Sequence, residues 1–297
     1  MLVDRNNLMR VARDVNTTIL EPSDILLTDK VAVITGGGGG IGQGIALGFA
    51  KFGCDVAVLD IAPERCRDTE KAIAGYGRTG VGIPCDAMDP DALTAAIDAV
   101  AERFGRLDIL VNNAGGIRAG AFMTQPAASI RRHVDINLMS MLYATQAAGR
   151  HLIAGGRGGS IINVTSIEGM RGAPNYAVYG ACKAAMISFT KTMALELSEH
   201  RIRVNCIAPD HTITPGGRGN RTGPVDPASW ADSDSDEWAR LVPLGREGVV
   251  SECASTAIWL CSSMSEYVTG VTVNVDGGTW AASGWLRRPT GEWTLNP

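Results

Sequence analysis

The sequence predicts an α/β fold in which a doubly wound, mostly parallel sheet of seven strands carries helices on both faces. Three observations predict it. From Lys30 onward, short apolar runs alternate with longer stretches of helical apolar spacing. A run of glycines joins the first strand to the first helix, and no linker interrupts the alternation before about residue 280. Strand–helix–strand alternation implies right-handed crossovers, and therefore parallel neighbours between two helical layers.

Each element follows from its own residues. KVAVITG, from Lys30, reads as a buried strand, and IGQGIALGFAKFG, from Ile41, as a helix closed by glycine. DVAVLD (55–60) is the second strand and APERCRDTEKAIAGYG the second helix. GVGIPCD is the third strand; the helix DPDALTAAIDAVAERFG after it opens on Asp89 and Pro90, a cap followed by a residue with pre-set φ. LDILVNNAG is the fourth strand, ASIRRHVDINLMSMLYATQAAGRHLI one long helix, and GSIINVTS the fifth strand. NYAVYGACKAAMISFTKTMALELSEH is another long helix, RIRVNCIAP a sixth strand and GVTVNVDGG a seventh.

Three segments stand outside this rhythm. Residues 1–29 form an N-terminal extension, an arm or a frayed tail. Residues 215–242, rich in Gly, Pro and Asp and carrying Trp230 and Trp238, read as a substrate lid, with a plain surface loop as the competing reading. Residues 281–297 are a tail with Trp285 and Trp293, whose rings an ordered tail would have to bury. One dinucleotide-binding and catalytic domain over 30–280 remains.

The chain has 297 residues, 45% of them hydrophobic, enough for a sizeable core. Its 27 Lys and Arg against 31 Asp and Glu give −4, which points away from nucleic acid and anionic membranes as partners. No apolar run approaches the roughly 20 residues of a membrane span, and the charged N-terminus lacks a secretory leader's apolar core. The seven cysteines show no C-x-x-C spacing and there are only four histidines, so no metal site is expected. Buried thiols in a reducing cytoplasm are the expected state.

The chemistry begins directly after the first strand, at Thr35-Gly36-Gly37-Gly38-Gly39-Gly40-Ile41-Gly42. Backbone must come close to a pyrophosphate here, and a Cβ would obstruct it; the following helix N-terminus offers free N–H groups to the negative charge. Between a strand and a helix, this string reads as the phosphate turn of a Rossmann-like fold, with Gly36, Gly40, Ile41 and Gly42 as contacts. The second strand ends at Asp60, where a carboxylate accepts from ribose hydroxyls and repels a 2′-phosphate. Ile61 follows it, no Arg or Lys is adjacent, and the cofactor predicted is NAD; Arg65 is the one residue that weakens this.

Further residues bring a family resemblance. Asn112-Asn113-Ala114-Gly115, Asp135-Ile136-Asn137, Ser166, Tyr179-Gly180-Ala181-Cys182-Lys183, Arg203-Val204-Asn205 and Asp276-Gly277-Gly278 occur in this order, with Ser166 13 residues before Tyr179. Over about residues 28–280 the chain thus resembles the classical short-chain dehydrogenase/reductase family. The resemblance implies a catalytic set of Asn137, Ser166, Tyr179 and Lys183. It also implies cofactor contacts at Asp86, Ala87, Asn113, Thr212 and Thr214, besides Tyr179 and Lys183. Asp210 departs from the glycine usual after Pro209. Family members commonly associate through the helix AVYGACKAAM, so a homo-oligomer, dimer or tetramer, is implied.

The chemistry also stands without the family. Removing hydride from an alcohol carbon requires a base for the hydroxyl proton. A free tyrosine titrates near ~10. Lys183, one helical turn from Tyr179, places an ammonium beside the phenol and favours its ionised form. Ser166 donates to the substrate oxygen as charge develops there. The expected activity is hydride transfer between NAD(H) and a secondary alcohol or ketone, bulky and apolar (steroid-like or terpenoid). Glu168, if it faces the pocket, would disfavour anions. Two alternatives stand beside it: a 3-oxoacyl thioester reductase of the same family, and a nicotinamide-binding protein without turnover.

Overall fold

The structure, a computed structural model, describes residues 20–214, 238 and 240–295. Most of the expected lid, 215–237 and 239, and residues 1–19 of the extension lie outside the described residues.

Seven parallel strands form the central sheet in the order β3-β2-β1-β4-β5-β6-β7. They are β1 Val31–Thr35, β2 Asp55–Asp60, β3 Gly80–Pro84, β4 Ile109–Asn112, β5 Gly159–Val164, β6 Ile202–Pro209 and β7 Thr272–Val275. Between them run α1 Gly40–Lys51, α2 Pro63–Ala74, α3 Pro90–Phe104, α4 Ala127–Val134, α5 Ser140–Gly155, α6 Ala177–Glu196 and α7 Val250–Cys261. The doubly wound α/β architecture predicted from the alternation is the one observed. Every residue of β1 is buried, as a strand covered on both faces requires.

The two cores follow the period of the strands. Ala32 and Ile34 of β1 face a layer built from Ile45, Phe49, Ala257 and Ile258. Val31 and Val33 face the opposite layer, with Leu93, Ile97, Ala148 and Leu152. Each Val, Leu, Ile or Phe side chain among these contributes about 1.5–3 kcal/mol when fully buried. Local signals close the helices: Asp89 accepts from the N–H groups of Asp91 and Ala92 at the start of α3, and Gly105 ends it at φ 65°.

The long helix predicted over 128–153 forms as one unbroken helical run, α4 into α5, with a π turn at Asp135–Met139 inside it that the sequence reading did not mark. Helix α7 was not anticipated. Its Ser, Cys, Thr and Ala residues show little contrast between faces, and it forms by packing on α1, where the Cα hydrogens of Gly44 and Gly48 meet Val250, Ala254 and Ile258. The tail folds back as a small antiparallel ladder, Leu286–Arg287 against Trp293–Thr294, with the Arg287 guanidinium 4.8 Å from the Trp293 ring. Within this chain Trp285 and Trp293 stay 45% and 44% exposed, which leaves their docking to a neighbouring subunit.

Candidate active site

The C-terminal ends of β1 to β6 open into one cleft of about 900 Å³. Because β2 and β3 run off to one side of β1 and β4 to β7 to the other, the connections diverge between β1 and β4 and leave a crevice there.

The glycine turn is shaped by close approach. Gly36 adopts φ +64°, and a Cβ there would sit 3.0 Å from the Ala114 Cα. Asn113 Nδ2 donates to the carbonyls of Thr35 and Gly36, at 3.1 Å each, and fastens the turn to the end of β4. Gly36, Gly40 and Ile41 line the cleft, whereas Gly42 packs its Cα against the Gly36 carbonyl, with no room for a methyl group. Glycine at 42 therefore closes the turn and does not line the site. At Gly39 and Gly40, where α1 begins, an added Cβ would meet nothing nearer than 3.5 Å, so the helix start borders open cleft that fits a dinucleotide pyrophosphate.

At the end of β2, Asp60 does not stand alone. Arg65, in the first turn of α2, places Nη2 2.8 Å from Asp60 Oδ1. Gly38 N–H donates to Oδ2 at 3.2 Å and Ala62 N–H to Oδ1 at 3.1 Å. The expectation that no cation stands beside Asp60 is thus corrected: the helix carries Arg65 back over the strand end. Asp86 and Ala87 line the same end of the cleft, with Asp86 Oδ1 accepting from Met88 N–H at 2.9 Å.

At the other end, Ser166, Tyr179, Lys183 and Asn137 all line the cleft. Lys183 is 4% exposed, and its Nζ donates to the Val164 carbonyl at 2.8 Å and lies 5.6 Å from the centre of the Tyr179 ring. The Ser166 hydroxyl accepts from Glu168 N–H at 3.2 Å and donates to the Pro209 carbonyl at 3.5 Å. Thr165 donates instead to the Lys183 carbonyl at 2.9 Å, which ties β5 to α6. Asn137 accepts from Gly116 N–H at 3.0 Å and donates to the carbonyls of Gly116 and His133, at 2.8 and 3.0 Å. Thr214 lines the cleft; Thr212 does not, because its hydroxyl donates to the Asp210 carbonyl at 2.8 Å.

Charge gathers on the loops beyond Ser166. Arg171 binds both oxygens of Glu168, at 2.8 and 3.3 Å, and Glu168 is not among the residues that line the cleft. The same guanidinium comes within 3.7 Å of Asp210, and His211 Nε2 within 3.4 Å. The Asp210 side chain is only 7% exposed, and its Oδ2 makes no hydrogen bond among the described residues. Burial raises the Asp210 pKa above the usual carboxylate range, although His211 and Arg171 pull it down. The His211 ring lies 4.6 Å from that of the buried Trp238, near the far end of the expected lid, with the two planes tilted by 59°.

Sequence reasoning flagged Arg65 without placing it on Asp60, and missed Arg171 and His133. The signal for Arg65 was its place in the first turn after a proline; that for His133 was its position one turn before Asn137. Among the described residues, no cluster of three or more His, Cys, Asp or Glu side chains could hold a metal ion.

A family model described as enoyl-(acyl carrier protein) reductase matches residues 36–279. The chain is 36% identical to 2-dehydro-3-deoxy-D-gluconate 5-dehydrogenase of Escherichia coli strain K12, over 88% of this chain and 97% of that one. It is 35% identical to a 3-oxoacyl-[acyl-carrier-protein] reductase of Chlamydia muridarum, over 85% of this chain and 98% of that one. Among solved structures, 7α-hydroxysteroid dehydrogenase in complex with NADH and 7-oxo glycochenodeoxycholic acid superposes with a TM-score of 0.79 at 31% identity, covering 88% of this chain and 98% of that one.

Proposed function

The chain belongs to the classical short-chain dehydrogenase/reductase family, and on that premise we propose that this oxidoreductase uses NAD and exchanges hydride between a secondary alcohol and a ketone. The observation that carries the proposal is a buried ammonium, Lys183, one helical turn from Tyr179, in a cleft that also holds Ser166 and the glycine turn.

Bound NAD would supply the hydride acceptor. Gly36, Gly40, Ile41 and Thr214 would hold it, with Asp60 toward the adenosine ribose. Tyr179 takes the alcohol proton in oxidation and returns it in reduction. Lys183 stabilises the phenolate, because an opposite charge within a helical turn favours the ionised form. Ser166 donates a hydrogen bond to the substrate oxygen. The amide of Asn137 is committed to Gly116 and His133, so Asn137 would serve proton relay by fixing the backbone beside Lys183, where a water could link the ammonium to solvent.

The likeness to 7α-hydroxysteroid dehydrogenase supports a bulky apolar alcohol, and Ile117 and Ile136 add apolar wall to the cleft. A second reading, a polyhydroxylated substrate, is favoured by the polar cluster of Glu168, Arg171 and Asp210 on the loops beyond Ser166, and an acidic one by the sugar-acid relative alone. The family description and the Chlamydia relative favour 3-oxoacyl thioester reduction, which Asp60 opposes if the cofactor is NADPH. A nicotinamide-binding protein without turnover would be expected to have lost Ser166, Tyr179 or Lys183, and all three line the cleft. For assembly we propose a dimer or tetramer through α6, where Ala181 and Ala184 are exposed. No described helix is long and apolar enough to cross a membrane.

Absorbance of the reduced nicotinamide, followed with NAD and NADP against hydroxysteroids, terpenoid alcohols, polyols, sugar acids and 3-oxoacyl thioesters, tests all of these. No turnover with any of them would end the oxidoreductase reading.

A further inference from the structure

Ile117 lines the cleft from a stretch, residues 115–118, that has no regular secondary structure. The stretch lies at the reacting end, since a Cβ on Gly115 would sit 3.5 Å from Lys183 Nζ. A backbone without a ladder holds one conformation only if side chains bind it, because each freed residue regains conformational entropy. Two side chains of one helical stripe do this. Asn137 takes Gly116 from both sides, its Oδ1 accepting from the N–H and its Nδ2 donating to the carbonyl. One turn earlier, His133 Nε2 accepts from Arg118 N–H at 3.2 Å. Ile117 is thus held between two fixed neighbours.

The tautomer of His133 follows from its partners. Its Nδ1 lies 2.8 Å from the Ser129 carbonyl, which can only accept, so Nδ1 carries the proton. Nε2 is then an acceptor, and Arg118 N–H can only donate to it. The ring is 7% exposed, and the Gln125 amide stands 3.3 Å from Nδ1. Its own carbonyl accepts from Asn137 Nδ2, which joins the two holding points into one unit.

We infer that His133 is a positioning residue for the substrate: with Asn137 it clamps residues 116–118 so that Ile117 presents a fixed apolar wall to the reacting alcohol. The inference rests on the oxidoreductase reading. It adds a residue whose ring bonds to Arg118, Gln125 and Ser129 and to none of Ser166, Tyr179, Lys183 or the dinucleotide turn, so its effect falls on substrate binding.

Two near-isosteric variants isolate the Nε2 bond. In His133→Gln the amide reaches the Nε2 position and can still accept from Arg118. In His133→Asn the amide ends at the Nδ1 position and cannot. KM is read with the secondary alcohol that the wild-type protein oxidises fastest in the panel above, the dissociation constant for NADH by fluorescence, and Arg118 amide exchange in the free protein. His133→Asn should raise KM about fivefold to tenfold, the size expected for one lost hydrogen bond. It should leave kcat and the NADH constant within about twofold, and speed Arg118 exchange about tenfold on the same ground. His133→Gln should keep all of these near wild type. His133→Leu, which fills the ring's volume without an acceptor, should match the Asn variant and replaces it if that protein does not fold. Equal KM and equal exchange across the variants would overturn the clamp. So would a change confined to kcat. If the wild type turns over nothing in the panel, the oxidoreductase reading fails, and the exchange measurement still decides the clamp.

Discussion

Lys183 Nζ donates to the Val164 carbonyl at 2.8 Å, and stands 5.6 Å from the centre of the Tyr179 ring. An ammonium buried this far is expensive unless it is bonded and faces a negative partner. A phenolate on Tyr179 would be that partner, so the burial of Lys183 and the ionisation of Tyr179 reinforce one another.

Tyr179→Phe keeps the ring and removes the proton-transfer group. Turnover should fall by about 10²–10⁴, the usual weight of a general acid–base group, while NADH binding by fluorescence changes little. Turnover within a few-fold of wild type would reject Tyr179 as the base.

Asp60 is shared between Arg65 and two backbone N–H groups. Asp60→Ala should lower efficiency with NAD and release Arg65, which then faces a 2′-phosphate with no carboxylate beside it. Steady-state kinetics with both cofactors should show the NADP-to-NAD ratio rising by about tenfold or more, as one exchanged charge contact is worth about 1.5–3 kcal/mol. Preference for NADP in the unaltered protein would contradict the role given to Asp60.

Asp210 is more easily protonated in the folded chain because burial disfavours its charge. The folded state therefore holds a proton where the unfolded chain has lost it, and stability falls as pH rises through that window. At neutral pH the whole penalty is present. Asp210→Asn should melt above wild type at pH 7, and the advantage should shrink as pH drops through the carboxylate range. A lower melting temperature at pH 7 would show that Arg171 and His211 outweigh the burial.

All seven cysteines are buried as free thiols. Burial pushes Cys85, Cys206, Cys253 and Cys261 up to about 11 from an ordinary 9.0. Thiol reagents at pH 8 should react slowly with the folded protein and with seven groups after unfolding. Since the folded state keeps these protons between pH 9 and 11 while the unfolded chain loses them, thermal stability should decline over that interval. Rapid labelling of the folded protein would show the thiols to be accessible.

Much of this molecule was written in short-range order. Strand runs, the glycine turn and the four-residue step from Tyr179 to Lys183 depend on neighbours within a turn or a pleat, where backbone geometry alone dictates who faces whom. The placement of Arg65 on Asp60, the binding of Asn137 to Gly116 and the burial of Asp210 between Arg171 and His211 were not legible in that way. Nor was α7, which takes shape against the glycine face of a helix some 200 residues earlier in the chain. Such contacts depend on which rotamer fits once the layers have closed, and close packing settles that from all sides at once. Periodicity therefore reveals which side chains reach the cleft, and folding alone determines which of them already hold one another there.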